Sequence, residues 1–227
     1  MTNTPAAQGT TTILLYTRTD VPHHPSIVPG VRALHELAEA NGFFLTHTED
    51  PRAFTGPALL RPGVVVFLNT ATDELDAGQR EGLVQCIRGG SAFVGIHSAS
   101  YFEKDWPWYE SLVGARFAGH PEPQEGRVDV TDRNHPATMG IPARWVHVDE
   151  WYNFRSLPAG VRVLATLDES TYAGGAHGVH HPVMWCHTFE GSRSFYTALG
   201  HTDECFRDET YLAHILGALR WAARLAG

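Results

Sequence analysis

The sequence predicts an α/β protein: an open, doubly wound, mostly parallel sheet with antiparallel additions in the C-terminal half. Two observations carry that expectation. Between residues 12 and 97, short apolar runs alternate with amphipathic segments across brief joints, the pattern of strands linked by crossover helices. The run Gly63 to Thr70 (GVVVFLNT) is continuously apolar and β-branched, which suits a strand covered on both faces.

The elements follow in order. Thr12 to Thr17 (TILLYT) reads as the first strand, and Ser26 opens a helix with Val31, Leu34, Leu37 and Ala38 on one face, stopped by Asn41-Gly42. Phe43 to His47 is the second strand and Gly63 to Thr70 the third. Asp76 and Gln79 have the spacing of a capping box; Leu83, Val84 and Ile87 form the apolar face behind it, and Gly89-Gly90 supplies a left-handed stop. Ser91 to His97 is the fourth strand. Later strands are expected at 126–131, 145–151, 161–167, 182–189 and 193–198, the last two joined by a hairpin at Phe189-Glu190-Gly191-Ser192-Arg193. A closing helix spans about 203–224, with Leu212, Ile215, Leu216, Leu219 and Ala223 at helical spacing. Residues 1–10, small and polar, are expected to be a disordered tail, and 11–227 a single domain.

Composition narrows the function classes. Hydrophobic residues make up 43% and charged ones 19%, as in ordinary globular proteins. A net charge of −8 with Lys104 as the only lysine leaves no basic footprint for nucleic acid. No apolar run reaches the ~18–20 residues of a membrane span and no signal-like segment opens the chain, so no membrane partner and a cytoplasmic location are expected. Cys86, Cys186 and Cys205 are widely spaced, without a Cys-x-x-Cys, and read as buried small apolar side chains. No nucleotide-binding motif is present. A homodimer is expected only because closed symmetric oligomers are common.

The fourteen histidines cluster beside turns. Gly95-Ile96-His97-Ser98-Ala99 has the Gly-x-nucleophile-x-small layout of a strand-to-helix elbow, which lifts one side chain to the carboxyl edge of a sheet, where such folds bind ligands. His97 there can be a general base, a metal ligand or a structural hydrogen-bonding group. Ser98 is expected to cap the following segment. His24 lies in the loop after the first strand, and His120 and His201 each follow a glycine at a turn; with His97 they could converge on Zn, Mn, Ni or Fe. In "HVDEWYNF" the carboxylates of Asp149 and Glu150 would face opposite sides of a strand, so at most one looks into a cleft. Trp106, Trp108, Trp151 and Tyr152 could form a sugar-stacking wall or belong to the core. "GGAHGVHHP" (174–182), with His177, His180 and His181, could be a lid or a surface loop.

The segments "GIHSAS", "WPWYESLVGARFAGHP", "TDRNHPAT", "DEWYNF", "LATLDEST", "HPVMW" and "SFYTALGHT" together resemble the ThuA-like (trehalose-utilisation) family over nearly the whole chain. That resemblance implies a flavodoxin-like, class I glutamine amidotransferase-like fold in which the elbow cysteine is replaced, here by His97. Without a thiolate at the elbow, glutamine hydrolysis through a thioester is not available. The family further implies a small-molecule carbohydrate substrate, a 3-keto glycoside such as 3-keto-trehalose, cleaved by C2 proton abstraction followed by elimination or hydrolysis with help from a divalent metal. Carried onto matching motifs, it points to His24 in "HPSI", His97 in "GIHSA", His120 in "GHP", Glu150 in "DEWY" and His201 in "GHT". His97, Glu150 and His201 are the expected catalytic residues. His24, His97, His120 and His201 are the expected metal ligands, and Trp106, Asp149, Trp151, Tyr152 and His181 the expected substrate contacts. The run Val21-Pro22-His23 before His24 departs from the aromatic and arginine often found there in the family. The alternative is a non-catalytic sugar-binding or regulatory module on the same scaffold.

Overall fold

The computed structural model describes residues 11–20, 24–55 and 62–225; the expected N-terminal tail and the run 21–23 lie outside them. Eleven strands and four α-helices are present among the described residues: β1 (Thr12–Tyr16), α1 (Ile27–Ala40), β2 (Phe44–Thr48), β3 (Val64–Leu68), α2 (Ala77–Arg88), β4 (Ala92–Ile96), α3 (Pro107–Val113), β5 (Phe117–Gly119), β6 (Gln124–Val130), β7 (Arg144–Asp149), β8 (Asn153–Phe154), β9 (Arg162–Asp168), β10 (His181–Phe189), β11 (Ser192–Thr197) and α4 (Glu209–Ala222). Nine strands form one sheet in the order β2-β1-β3-β4-β11-β10-β9-β6-β7, and β5 pairs with β8 beside it.

The half from β2 to β11 is parallel, and every pairing from β11 outward to β7 is antiparallel. The order β2-β1-β3-β4 is that of a flavodoxin-like sheet, with β11 in the fifth place and the strand order reversing between β1 and β3 while the strands stay parallel. Every residue of β3 and β4 is buried, as the unbroken apolar runs require of strands with helices on both faces. At β11 the two covers are visible: the Ser194 hydroxyl donates to the Leu112 carbonyl of α3, while the Phe195 ring meets His214 of α4.

Local signals explain most boundaries. The Asp76 carboxylate accepts the Gln79 N–H and the Gln79 side chain accepts the Asp76 N–H, so the capping box forms in full. Glu190 (φ 47°) and Gly191 (φ 85°) form the tight turn of the β10–β11 hairpin.

α1 starts behind Ser26 as expected, although Ser26 makes no side-chain cap and its hydroxyl donates to the Gly200 carbonyl instead. One expectation fails. The closing helix is not continuous from 203 to 224, because Asp208 adopts extended backbone after a 3-10 turn at Asp203–Arg207 and caps α4 through the Thr210 N–H. No helix among the described residues is long and apolar enough to cross a membrane.

Candidate functional site

His97 follows β4 directly, with φ at 52° in the left-handed region that a β-carbon disfavours. An ordinary non-glycine residue held there is the backbone mark of an elbow, and 3-10 turn residues His97–Ser100 complete it. The ring is fully buried. Its Nδ1 lies 2.7 Å from the Ala198 carbonyl and donates to it, which leaves Nε2 facing the site. That nitrogen lies 2.7 Å from the Tyr152 hydroxyl oxygen and 3.2 Å from Glu150 Oε2.

Other loops deliver their residues to the same point. Glu150 comes directly after β7, and its Oε2 also lies 3.2 Å from His201 Nδ1 and 3.5 Å from His120 Nε2. His201 comes after β11 and Gly200. Gly200 sits at φ 124°, and a β-carbon there would stand 2.5 Å from the Tyr211 hydroxyl, so only glycine allows the turn. Its carbonyl accepts from Ser26 Oγ and Asn69 Nδ2, tying the loops after β1, β3 and β11 together. His24 completes the group, its ring 5.8 Å from those of His97 and His201.

One ligand nitrogen from each of His24, His97 and His201 lies within 4.8 Å of the other two. His24 Nδ1 and His201 Nδ1 are buried without a hydrogen-bond partner; His201 Nδ1 is close to Glu150 but out of line with it. Three imidazoles with two orphaned nitrogens beside a carboxylate have the chemistry to hold a divalent transition metal, which would supply the missing partners. His120 is outside this tight group, at the mouth.

The electrostatics agree with the placement. Burial, with His97 and His201 adding to it, pushes the His24 imidazole down to about 3. Burial and His97 likewise lower His201. Burial alone would raise the Glu150 carboxyl, but the His97 hydrogen bond and the surrounding imidazoles hold it below its ordinary range. The Tyr152 phenol is driven far up by burial and by Glu150. At neutral pH the cluster therefore presents neutral His24 beside a carboxylate.

The cleft above these groups measures about 320 Å³ and is lined by His24, His120, His201, Glu150 and Tyr152 together with Ala71, Ser98, Tyr101 and Phe117. That size is at the lower end of the roughly 300–1,000 Å³ typical of small-molecule sites.

Several expected substrate contacts stand elsewhere. Trp106 stacks on Trp108 and Tyr109 with Arg80 over its ring, away from the cleft. Trp151 is buried and donates to the Gln124 carbonyl, its indole against Gly126. His181 lies behind Tyr152, with Nε2 donating to the Tyr152 carbonyl and Nδ1 on Glu169. Glu169 also accepts the His177 and Gly178 N–H groups, which pins the histidine-rich loop. Asp149 is buried beneath the site: Oδ2 accepts the Gly200 N–H, and Oδ1 accepts those of Glu150 and His201. Ser98 does not cap; its buried hydroxyl has no partner and borders the cleft. Tyr101 and Phe117 were not singled out from the sequence, where their only signal is proximity to His97 and His120.

The model of the ThuA family, described as trehalose utilisation, matches residues 12–222. A ThuA-like protein from Bacteroides uniformis superposes with a TM-score of 0.80 at 27% identity, covering 97% of this chain and 95% of that one. One from Parabacteroides merdae gives 0.79 at 19% identity, covering 94% and 90%. A glutamine amidotransferase from Thermotoga maritima gives 0.56 at 11%, covering 93% and 98%, a likeness of fold. Among curated proteins, none matches this sequence. A match over almost the full length, on a glutamine amidotransferase-like fold whose elbow carries His97, places this chain in the ThuA trehalose-utilisation family and gives it a role in sugar metabolism.

Proposed function

We propose that the protein is an enzyme that cleaves the glycosidic bond of 3-keto glycosides such as 3-keto-trehalose. The observation that supports this reading most is the convergence of His24, His97, His201, His120 and Glu150 in one sugar-sized cleft. His24, His97 and His201 would hold a divalent ion (Zn, Mn, Ni or Fe), whose chemistry when bound is Lewis-acid polarisation of the C3 carbonyl.

The rest falls to the chain's own groups. A C3 ketone acidifies the C2 proton, and the ionised Glu150 carboxylate, buried deep in the cleft, takes it. The C2–H electron pair becomes the C1=C2 bond as the C1–O bond breaks. His120, whose Nδ1 donates to the Pro121 carbonyl, presents Nε2 at the solvent-reached mouth, where it takes a proton from solvent and passes it to the departing oxygen. Addition of water across C1=C2 would convert the elimination into net hydrolysis. Tyr152, Tyr101 and Phe117 supply apolar ring faces for the sugar, and the Ser98 hydroxyl a hydrogen bond.

The test combines metal analysis with turnover. Tag-free wild type is expected to hold bound metal of which about one equivalent is lost in His97→Ala and in His201→Ala, and to convert a 3-keto disaccharide but not the unoxidised sugar. Glu150→Gln should lower kcat by at least about 10²-fold, the lower range for a general base. Sugar affinity that survives both His97→Ala and chelator, with no product formed, would favour a binding module instead.

A further inference from the structure

A second group of ligating side chains lies outside the cleft mechanism. Strand alternation puts Trp145, His147 and Asp149 of β7 on one face, and the 3-10 turn before α4 brings Cys205 against them. His147 Nε2 is 3.3 Å from Cys205 Sγ and 3.5 Å from Asp149 Oδ2, and Cys205 Sγ is 3.6 Å from the same oxygen. Zinc bound tetrahedrally at its usual N, S and O bond lengths would space those atoms about 3.5, 3.4 and 3.6 Å apart. The triangle thus has nearly the dimensions of one face of such a site.

The surroundings also fit. A cavity of about 390 Å³ opens beside the triangle, bordered by His147 and Thr202 and by the carboxylates of Glu125, Glu204 and Asp208. It offers an entry path, an attractive field for a cation and room for water as fourth ligand. Asp208 Oδ2 stands 4.0 Å from His147 Nδ1, on the side where a carboxylate orients a metal-bound imidazole.

We infer that His147, Asp149 and Cys205 form a second divalent-metal site, of the mixed sulfur, nitrogen and oxygen type that takes zinc or cobalt(II). Binding breaks the Cys205 S–H bond, forms a sulfur–metal bond and releases one proton to solvent, with no change of oxidation state. In the metal-free protein, burial and Asp149 keep the sulfur as a thiol. Because Asp149 also holds the Gly200 and His201 N–H groups, an ion here would stiffen the loop that presents His201 to the cleft.

The test is titration of tag-free, chelator-stripped protein with cobalt(II) alone. Wild type is expected to develop a near-ultraviolet thiolate-to-cobalt charge-transfer band. The band should persist in His97→Ala, since the imidazole cluster contains no thiol, and vanish in Cys205→Ser. His147→Gln, which keeps the thiol, should weaken cobalt affinity at least about 100-fold, given that even outer-shell partners are worth roughly 10–100-fold. Circular dichroism establishes that each variant is folded. Cobalt uptake by folded wild type without the band would show loading of the imidazole cluster alone and overturn this site while leaving the proposed function standing. A band retained in Cys205→Ser, or unchanged affinity in His147→Gln, would overturn it as well.

Discussion

Asp149→Asn separates a backbone anchor from a substrate contact. The carboxylate is fully buried, and burial by itself would raise it, yet the His147 side chain, the charge of His97 and the Gly200 N–H hold it below the usual range. Its two oxygens accept three backbone N–H groups, from Gly200 at 2.8 Å, Glu150 at 2.9 Å and His201 at 3.1 Å. Asparagine preserves the volume but has one oxygen, so its NH₂ must face at least one of those donors. The change removes a charge-assisted hydrogen bond worth roughly 1.5–3 kcal/mol and strands a buried N–H at about 1–3 kcal/mol, two costs that overlap. Relief from burying a charge offsets part of the loss. The net expectation is a destabilisation of about 3 kcal/mol, equivalent to a Tm lower by roughly 6–12 °C for a chain of this size. Urea unfolding of chelator-treated protein, with an unchanged m-value, would measure it. If the variant unfolds within about 0.5 kcal/mol of wild type but no longer binds sugar, Asp149 is a substrate ligand and the anchoring role is refuted.

Gly82→Ala in α2 places a β-carbon 1.6 Å from the Phe54 carbonyl oxygen. It should destabilise by about 2 kcal/mol or more in thermal unfolding, despite alanine's advantage of roughly 1 kcal/mol in a helix. Gly78→Ala in the same helix, whose nearest neighbour is the end of the Asp76 side chain at 3.2 Å, should stay within about 1 kcal/mol of wild type. Stability should also fall in acid, because burial pushes His135 and His214 down to about 4. The unfolded chain takes up these protons below about pH 6.5 and the folded one resists until about 4, so stability falls across that window by roughly 1.4 kcal/mol per pH unit per histidine and no further below it. Urea unfolding at several pH values would show the slope, which His214→Gln should make shallower by about one proton. Ser98→Ala removes a buried hydroxyl that lacks a partner; calorimetry should find stability equal or slightly higher, up to about 1 kcal/mol, with weaker sugar binding. A clear loss of stability would assign the hydroxyl a structural bond instead.

The sequence by itself determined the nine strands of the main sheet, α1, α2 and the position of the elbow, because those signals are short-ranged. Runs of β-branched residues, the Asp76/Gln79 box and the Glu190-Gly191 turn each act within a few residues, and each is present in the structure. The break before α4 escaped notice because Leu212, Ile215 and Leu219 keep the helical period on one side of Asp208 and nothing in that period marks where it starts. The strands β5 and β8, of three and two residues, are too short to show any period. Side-chain roles divided along the same line. Asp149 and Glu150 could be expected to face apart, but only the fold showed that one anchors a loop while the other enters the cleft. Trp151 and Tyr152 look alike in sequence; packing buries the first on Gly126 and turns the second toward His97. Which histidines meet was likewise decided by tertiary structure, since His24, His97, Glu150 and His201 are brought together by crossovers and by the Ser26, Asn69 and Gly200 latch, contacts that join residues more than a hundred positions apart.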